Sequence, residues 1–202
     1  MSRESTMPTR QGRVFVISGP SGVGKDSVIA KLLPLVDLDT VVTMTTRRIR
    51  ATESDGIHYR FVTVAEFERL RDAGELLESA LVHEHWYGVP ADSVRDSIAR
   101  GRDVLIKVDP QGAWSIKTLM PNATFIFLRP ASIEELRGRL ALRGSETEEE
   151  RALRIANAER DLQDQVWFDY VVDNPNGQIE TAIATLRDII LTDRSAQPST
   201  HQ

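Results

Sequence analysis

The segment Gly19–Asp26 (GPSGVGKD) is the part of the sequence whose residue types and spacing suggest chemistry most directly. It follows a short apolar, β-branched run, Arg13–Ser18, and precedes apolar residues at helical spacing over Ser27–Leu33. Glycines in such a turn let backbone N–H groups surround a chain of phosphates, and the helix N-terminus adds partial positive charge. The segment is therefore predicted to be a phosphate-binding loop in which Lys25 reaches the terminal phosphates. The predicted phosphate-site residues are Gly19, Pro20, Ser21, Gly22, Val23, Gly24, Lys25, Asp26 and Ser27.

One position of this loop departs from its usual form. The residue after the lysine is ordinarily Ser or Thr, whose hydroxyl ligates Mg²⁺, and here it is Asp26. Ser27 follows, but a side chain one position further along a helix points in another direction. We expect Mg²⁺ to accompany the phosphates, with the carboxylate of Asp26 as its candidate ligand, directly or through water.

Length, charge and composition limit the kinds of protein that can carry this loop. The chain has 202 residues, a formal net charge of −5 and no cysteine, which predicts one soluble domain and excludes disulfides and a cysteine nucleophile. The acidic balance argues against a nucleic-acid polymer as partner. No apolar run is long enough to span a membrane and the N-terminus lacks a signal-peptide apolar region. We expect a cytoplasmic protein that is a monomer or a weak homo-oligomer.

Alternating strand and helix patterns predict the elements that must position the loop. Strands are predicted at Thr40–Met44, His58–Val62, Leu76–Val82, Val104–Val108, Thr124–Leu128 and Tyr170–Val172. Capping boxes predict helices that begin at Thr63, Ser132 and Thr147, and a last helix is expected at about 179–192. Strands that alternate with helices predict an α/β fold with a mostly parallel central sheet. The stretch at about 40–95 is richer in strands, so an inserted α+β lobe is expected there.

Five further features follow the loop in a fixed order. They are TMTTRRIR at Thr43–Arg50, GIHY at Gly56–Tyr59, Glu78 followed by Tyr87-Gly88, VDPQG at Val108–Gly112, and the arginines Arg139, Arg143 and Arg154 around an R-G-x-E-T segment. Together with the loop, they resemble the guanylate kinase family over about residues 13–191. Six ordered features are far more specific than a phosphate-binding loop alone.

The resemblance implies an ATP-dependent nucleoside monophosphate kinase that binds ATP with Mg²⁺ and transfers its γ-phosphoryl group to GMP, giving ADP and GDP. The implied GMP-binding residues are Arg47, Arg50, Tyr59 and Tyr87 for the phosphate and Thr43, Glu78 and Asp109 for guanine. The implied catalytic residues are Lys25, Arg139, Arg143 and Arg154. The implied fold is that of phosphate-loop nucleoside monophosphate kinases. Its parts would be a core at 12–39 and 96–192, a GMP-binding lobe at about 40–95, a helical lid at about 137–160, and disordered tails at 1–11 and 193–202.

The residue chemistry supports this interpretation independently. Glu78 can accept hydrogen bonds from guanine N1–H and the exocyclic amino group at once, whereas adenine offers an acceptor at N1. Arg47 and Arg50 can each bind a phosphate through two parallel hydrogen bonds. An ionised GMP phosphate needs no general base to attack, so positioning and electrostatics would supply the catalysis.

Other interpretations remain open at this stage. Arg47 and Arg50 taken alone fit a solvated basic loop, Glu78 fits the polar face of a strand, and Glu135 could pair with Arg139 as a weak surface ion pair. An inactive interaction module of the same fold is a second hypothesis for the whole chain. A same-fold kinase that acts on another small phosphate ester, such as a ribosyl bisphosphate, is a third.

Two more positions differ from the family pattern. Lys107 stands where the family often has Asp, and Val89 stands where a Ser or Thr commonly contacts the base. We expect Lys107 to be a neighbour of Asp26 and to balance its charge. Val89 removes one possible hydrogen bond to guanine, worth about 0.5–1.5 kcal/mol, so a modestly raised KM for GMP is expected while Glu78 keeps the selectivity against AMP.

Overall fold

A computed structural model describes residues 11–51, 53–82, 84–141 and 148–195. Its strands are β1 (Val14–Ser18), β2 (Asp39–Thr40), β3 (Met44–Thr45), β4 (Arg60–Phe61), β5 (Leu76–Val82), β6 (His85–Pro90), β7 (Val104–Lys107), β8 (Thr124–Arg129) and β9 (Tyr170–Asp173). Its α-helices are α1 (Lys25–Leu32), α2 (Val64–Asp72), α3 (Ala91–Ala99), α4 (Pro110–Leu119), α5 (Ile133–Ala141), α6 (Glu148–Asp161) and α7 (Ile179–Ser195). Short 3₁₀ turns follow α1 at Leu33–Leu35 and α6 at Leu162–Trp167.

The central sheet has the strand order β2-β7-β1-β8-β9, and all its neighbouring strands run parallel. Successive residues of β1 are buried on opposite faces of the sheet. Phe15 and Ile17 belong to a core cluster that includes residues of α1 and α7, whereas Val14 and Val16 belong to one that includes residues of α3 and α4. Helices therefore cover both faces, which confirms the predicted α/β class and explains why β1 reads as a continuous apolar run.

The part of the chain that runs from β2 to β7 forms a second, four-stranded sheet with the order β4-β3-β6-β5. It is mixed, because β3 runs parallel to β4 and antiparallel to β6. Phe67 and Leu70 of α2 pack with Met44 of β3 as its small core. The chain thus has an α+β part where the sequence predicted one.

One strand prediction in this region was wrong, and one strand was missed. The run Thr40–Met44 does not form one strand, because Thr40 pairs with Leu105 in the central sheet and Met44 pairs with Gly88 in the second sheet. Strand β6 was not predicted, because its sequence HWYGVP contains a glycine and a proline that weaken a strand pattern. Its pairing with β5 supplies the stability that its own sequence lacks.

Local signals at helix ends were more reliable. The hydroxyl of Thr63 accepts the backbone N–H of Glu66 at the start of α2, and the hydroxyl of Ser132 accepts that of Glu135 at the start of α5. Thr147 lies outside the described residues. The last helix reaches Ser195, slightly beyond its predicted end. Within the ranges described, no helix is long and apolar enough to cross a membrane.

The parallel sheet brings distant parts of the chain to one edge. Residues that follow a parallel strand lie at its carboxyl end, where open α/β sheets bind ligands. The glycine loop follows β1, Asp109 follows β7, and Asn174 follows β9. These segments are therefore neighbours although they are far apart in the sequence.

Candidate active site

The glycine loop, residues 19–26, connects the end of β1 to the start of α1. Gly19, Gly22 and Gly24 have φ values of 140°, 85° and 100°, a backbone region that other residues rarely adopt. A Cβ atom on Gly19 would also lie 2.3 Å from the carbonyl oxygen of Leu128. The predicted loop conformation therefore requires glycine at these positions.

Lys25 is the first residue of α1, and its ammonium lies across the loop. Nζ donates hydrogen bonds to the carbonyl oxygens of Gly19 and Pro20. Desolvation lowers the pKa of Lys25 to about 8, although the carboxylates of Asp109 and Asp26 oppose this change. A phosphate chain would supply the negative charge that this desolvated ammonium needs.

Two side chains from other elements hold the loop from outside. Nη1 of Arg139 and Nδ2 of Asn174 each donate to the carbonyl oxygen of Val23, both at 2.8 Å. The carbonyl of Val23 and the N–H of Gly24 belong to one trans peptide unit and point in opposite directions. Fixing the carbonyl outward therefore turns the N–H of Gly24 toward the inside of the loop, where a phosphate oxygen could accept it.

Arg139 lies deeper in the structure than the sequence suggested. Besides Val23, its guanidinium donates to the backbone carbonyl of Asn174 at 2.7 Å and to Oδ1 of Asn176 at 2.9 Å, and it forms an ion pair with Glu135. The alternative that Glu135 pairs with Arg139 only at the surface is wrong, because both side chains are largely buried. Arg139 thus braces the phosphate-binding loop, and a direct contact to ATP phosphates stays a prediction.

The other arginines expected in the lid have different outcomes. Nη2 of Arg154, on α6, donates to Oγ of Ser21 in the loop at 3.0 Å. Arg143 lies outside the described residues. A Cβ atom on Gly22 would lie 2.8 Å from Leu140 of α5. Both α5 and α6 therefore contact the loop, and their role in covering bound ATP stays a prediction.

The residues predicted to bind the GMP phosphate form one cluster on the second sheet. Nε of Arg47 donates to the hydroxyl of Tyr87 at 3.3 Å, and its guanidinium carbon lies 5.5 Å from the ring centre of Tyr59. The rings of Tyr59 and Tyr87 meet edge to face with their centres 5.9 Å apart. The structure thus brings three of the four predicted phosphate ligands into contact, and the fourth, Arg50, is linked to Arg47 through Glu53.

Glu53 joins this cluster and was missed by the sequence analysis. Its two carboxylate oxygens accept from Nη1 and Nη2 of Arg47 at 3.0 and 2.8 Å. It also accepts the backbone N–H of Arg50 at 2.9 Å, and the guanidinium of Arg50 lies 3.7 Å away. Carboxylate and phosphate match the arginine fork in the same way, so Glu53 takes up the bidentate face of Arg47. An acidic residue three positions after Arg50 was the available signal.

Glu78 of β5 is a buried carboxylate with an unused acceptor. Its relative exposure is 5%, and among the described residues its Oε1 has no hydrogen-bond partner. Burial, together with the negative charge of Asp109, raises the pKa of Glu78 to about 8. Val89, fully buried, lies opposite it on β6, and a Cβ atom on Gly112 would lie 2.9 Å from Oε1. A ligand that brings hydrogen-bond donors would therefore satisfy this group.

The two other residues predicted to contact guanine are Asp109, which lies near Glu78, and Thr43, which contacts β7. Asp109 caps α4 by accepting the backbone N–H of Gly112 at 2.8 Å. A Cβ atom on Gly112 would touch both Asp109 and Glu78, so both carboxylates face this glycine. The hydroxyl of Thr43 donates to the backbone carbonyl of Lys107 at 3.2 Å.

Lys107 and Asp26 are neighbours, as the sequence predicted. Nζ of Lys107 lies 2.5 Å from Oδ1 of Asp26. Desolvation acts to raise the pKa of Asp26, but the adjacent ammonium of Lys107 holds that pKa below its ordinary value. The carboxylate is therefore ionised at neutral pH.

Asn174 and Asp161 also lie near the glycine loop and were not found from the sequence. Burial raises the pKa of Asp161, at the end of α6, to about 6, and the charge of Lys25 opposes this change. Neither residue lies in a recognisable local pattern. Their proximity to the loop results from how β9 and α6 pack, which sequence spacing does not indicate.

A phosphate-binding loop on a parallel sheet, facing a lobe that carries arginine, tyrosine and a buried carboxylate, defines the class of nucleotide kinases with this type of loop. Comparison with known proteins agrees and is more specific. Residues 11–193 match the family described as guanylate kinase, and the chain belongs to that family.

Individual relatives support this assignment over most of the chain. A guanylate kinase of Caldanaerobacter subterraneus is 39% identical over 92% of this chain and 89% of its own length. One of Thermotoga maritima is 40% identical with the same shares. The crystal structure of guanylate kinase from Anaplasma phagocytophilum superposes with a TM-score of 0.75 at 31% identity, covering 97% of this chain and 91% of that one.

Proposed function

We propose that this chain transfers the γ-phosphoryl group of ATP to GMP, giving ADP and GDP. The observation that carries the proposal is the buried carboxylate of Glu78, whose Oε1 has no partner among the described residues. Guanine offers two adjacent donors, N1–H and the exocyclic amino group, to such a carboxylate. Adenine would leave it facing a lone pair, so the site would select guanine.

The rest of the site divides into an acceptor side and a donor side. Tyr59 and Tyr87 would hold the GMP phosphate, and Arg47 would add its charge while Glu53 takes up its bidentate face. Arg50 would add charge at the rim. The glycine loop and Lys25 would hold the ATP phosphates, and Arg154 would close over them from α6. No residue has to remove a proton, because the attacking oxygen belongs to an ionised phosphate.

Asp26 fits the role of a Mg²⁺ ligand. Its carboxylate is ionised, its side chain is 56% exposed at the mouth of the loop, and Mg²⁺ in nucleotide sites takes one or two carboxylates together with phosphates and water. When bound, the ion would neutralise phosphate charge. Lys107 would keep Asp26 ionised and oriented before nucleotide binds.

A coupled ADP-release assay with ATP and Mg²⁺ tests the proposal. We expect turnover with GMP and dGMP, and at least about a thousandfold lower kcat/KM with AMP, since mispairing a buried polar group is costly. The panel also includes UMP and a ribosyl phosphate. Tight GMP binding without turnover would indicate an inactive interaction module, and turnover of the ribosyl phosphate alone would indicate a different phosphate ester as substrate.

The metal assignment has its own test in the Asp26→Asn variant. The Mg²⁺ concentration needed for half-maximal turnover should rise by about tenfold, because the neutral amide is a weaker ligand. Asp37→Asn, at an exposed position away from the loop, is the matched control. An unchanged Mg²⁺ dependence would exclude Asp26 as a ligand. The cytoplasmic location and the oligomeric state stay predictions.

A further inference from the structure

Lys107, at the end of β7, connects the two halves of the site. Its Nζ lies 2.5 Å from Oδ1 of Asp26 in the donor loop. The same atom lies 4.1 Å from the ring centre of Tyr59 in the acceptor cluster. One ammonium thus contacts a residue from each phosphate site, at the boundary between them.

Lys107 is the more buried member of its ion pair with Asp26. The side chain of Lys107 is 14% exposed, whereas that of its counter-ion Asp26 is 56% exposed. Lys25 and His58 are the other charged or titratable groups close to this ion pair. The buried member of the pair is therefore the cation, and it lies between the two phosphate sites.

We propose that Lys107 is a further catalytic residue, whose ammonium contacts the phosphoryl group as it passes from ATP to GMP. The proposal rests on the proposed function. Asp26 holds the ammonium at the boundary before both substrates are bound. This assigns to Lys107 a role of its own, beyond balancing the charge of Asp26.

The charges in the transfer step explain why a cation is useful there. An oxygen of the GMP phosphate forms a bond to the γ-phosphorus while the bond from that phosphorus to the β–γ bridging oxygen breaks, and the electron pair leaves with ADP. GMP²⁻ and ATP⁴⁻ become GDP³⁻ and ADP³⁻, so no proton is transferred. Negative charge is spread over the moving group, and a fixed ammonium beside it stabilises the transition state.

Lys107→Met tests the proposal by removing the charge while keeping most of the side-chain volume. We expect kcat and kcat/KM for GMP to fall together by roughly 100-fold, as for the loss of one transition-state donor. Lys107→Arg, which keeps the charge, should recover part of the rate. The matched control is Lys31→Met, which breaks an exposed ion pair with Glu180 and should leave the rate unchanged. A Lys107→Met enzyme as fast as the control would overturn the proposal.

A double variant separates catalysis from charge balancing. If Lys107 only neutralised Asp26, the Asp26→Asn/Lys107→Met enzyme would be as active as Asp26→Asn alone. The proposal instead requires the double variant to be at least tenfold slower than Asp26→Asn. Thermal unfolding of each variant identifies any that has lost its fold. The Asp26→Asn background is used because removing Lys107 then leaves no carboxylate without its ion-pair partner.

A planar phosphoryl mimic gives a readout that does not depend on turnover. Wild-type protein with ADP, GMP and Mg²⁺ should bind aluminium fluoride, and fluorine NMR can detect the bound species. Asp26→Asn/Lys107→Met should keep its affinities for ADP and GMP within about threefold of Asp26→Asn but lose the fluoride complex. Retention of that complex would contradict the proposal. Absence of GMP kinase activity in the wild type would instead refute the proposed function.

Discussion

In the proposed function, the glycine loop on the donor side and the lobe on the acceptor side both hold phosphate, but they would do so by different means. In the loop, the peptide backbone provides the binding groups, and its conformation depends on Gly19, Gly22 and Gly24. In the lobe, side chains provide them, with Arg47 and Tyr87 already hydrogen-bonded to each other. Backbone N–H groups recognise any phosphate chain, whereas side chains can also select a base. Selectivity is therefore expected to depend on the acceptor side.

The two regions also differ in what is satisfied before substrates bind. The carbonyl of Val23 in the donor loop accepts two hydrogen bonds, from Arg139 and Asn174. On the acceptor side, Oε1 of Glu78 accepts none from the described residues. The loop is thus held in its binding shape by the protein itself, while the acceptor pocket keeps a costly unpaired group that guanine can satisfy.

The comparison predicts its largest effect, a loss of kcat/KM for GMP, for the Glu78→Gln variant. The amide keeps one acceptor oxygen but places its NH₂ group against one of the two guanine donors. The kcat/KM for GMP should therefore fall by about a thousandfold, and the preference over AMP should shrink sharply. Steady-state kinetics with both nucleotides measure this change. Glu68→Gln, at an exposed position on α2, is the control. If the variant kept its selectivity, the acceptor carboxylate would not be the base-reading group.

The next effect is a steep increase in affinity with pH that belongs to the acceptor side alone. Guanine needs ionised Glu78, whose pKa is raised to about 8, so GMP affinity should increase by up to tenfold per pH unit between pH 6 and 8. Titration calorimetry at several pH values measures it. Glu78→Gln should show only the smaller dependence due to the GMP phosphate. The affinity of ADP should not share the steep increase.

The same raised pKa makes a prediction about stability. Folded Glu78 holds its proton more tightly than the unfolded chain, so its contribution favours folding at low pH and is lost as the pH rises toward 8. The free energy of unfolding of Glu78→Gln minus that of the wild type should therefore increase between pH 5 and 8 and then level off. Urea unfolding at each pH measures the difference, and a pH-independent difference would contradict the raised pKa.

The smallest predicted effect is a weaker affinity for ADP, on the donor side, in the Asn174→Ala variant. Removing one of the two hydrogen-bond donors to the Val23 carbonyl should destabilise the binding conformation of the loop by about 1–2 kcal/mol. The cost is no larger because Arg139 still donates to this carbonyl. The Kd for ADP should rise by about tenfold while the Kd for GMP stays unchanged. Asn122→Ala, in an exposed turn, is the control. An equal loss for both nucleotides would mean that the substitution disturbs the whole sheet.

How much could be predicted depended on whether the signal was local. The glycine loop, the helix caps at Thr63 and Ser132, and the α/β class follow from neighbouring residues, and all agree with the structure. Strand β6 could not be predicted, because its pairing with β5 stabilises a sequence that is weak by itself. The bracing role of Arg139 was missed for the same reason, since its partners lie on other elements.

The sequence by itself determined the chemistry that is available: the predicted phosphate-binding loop and the carboxylate of Glu78. It also showed that Asp26 replaces the usual hydroxyl residue and that Lys107 replaces the usual acid. Tertiary structure alone decided that Lys107 also contacts Tyr59, and that Asn174 holds Val23. The physical reason is that a parallel sheet gathers the ends of its strands at one edge regardless of their distance along the chain. Residue types fix what a group can do, and packing fixes which groups it acts upon.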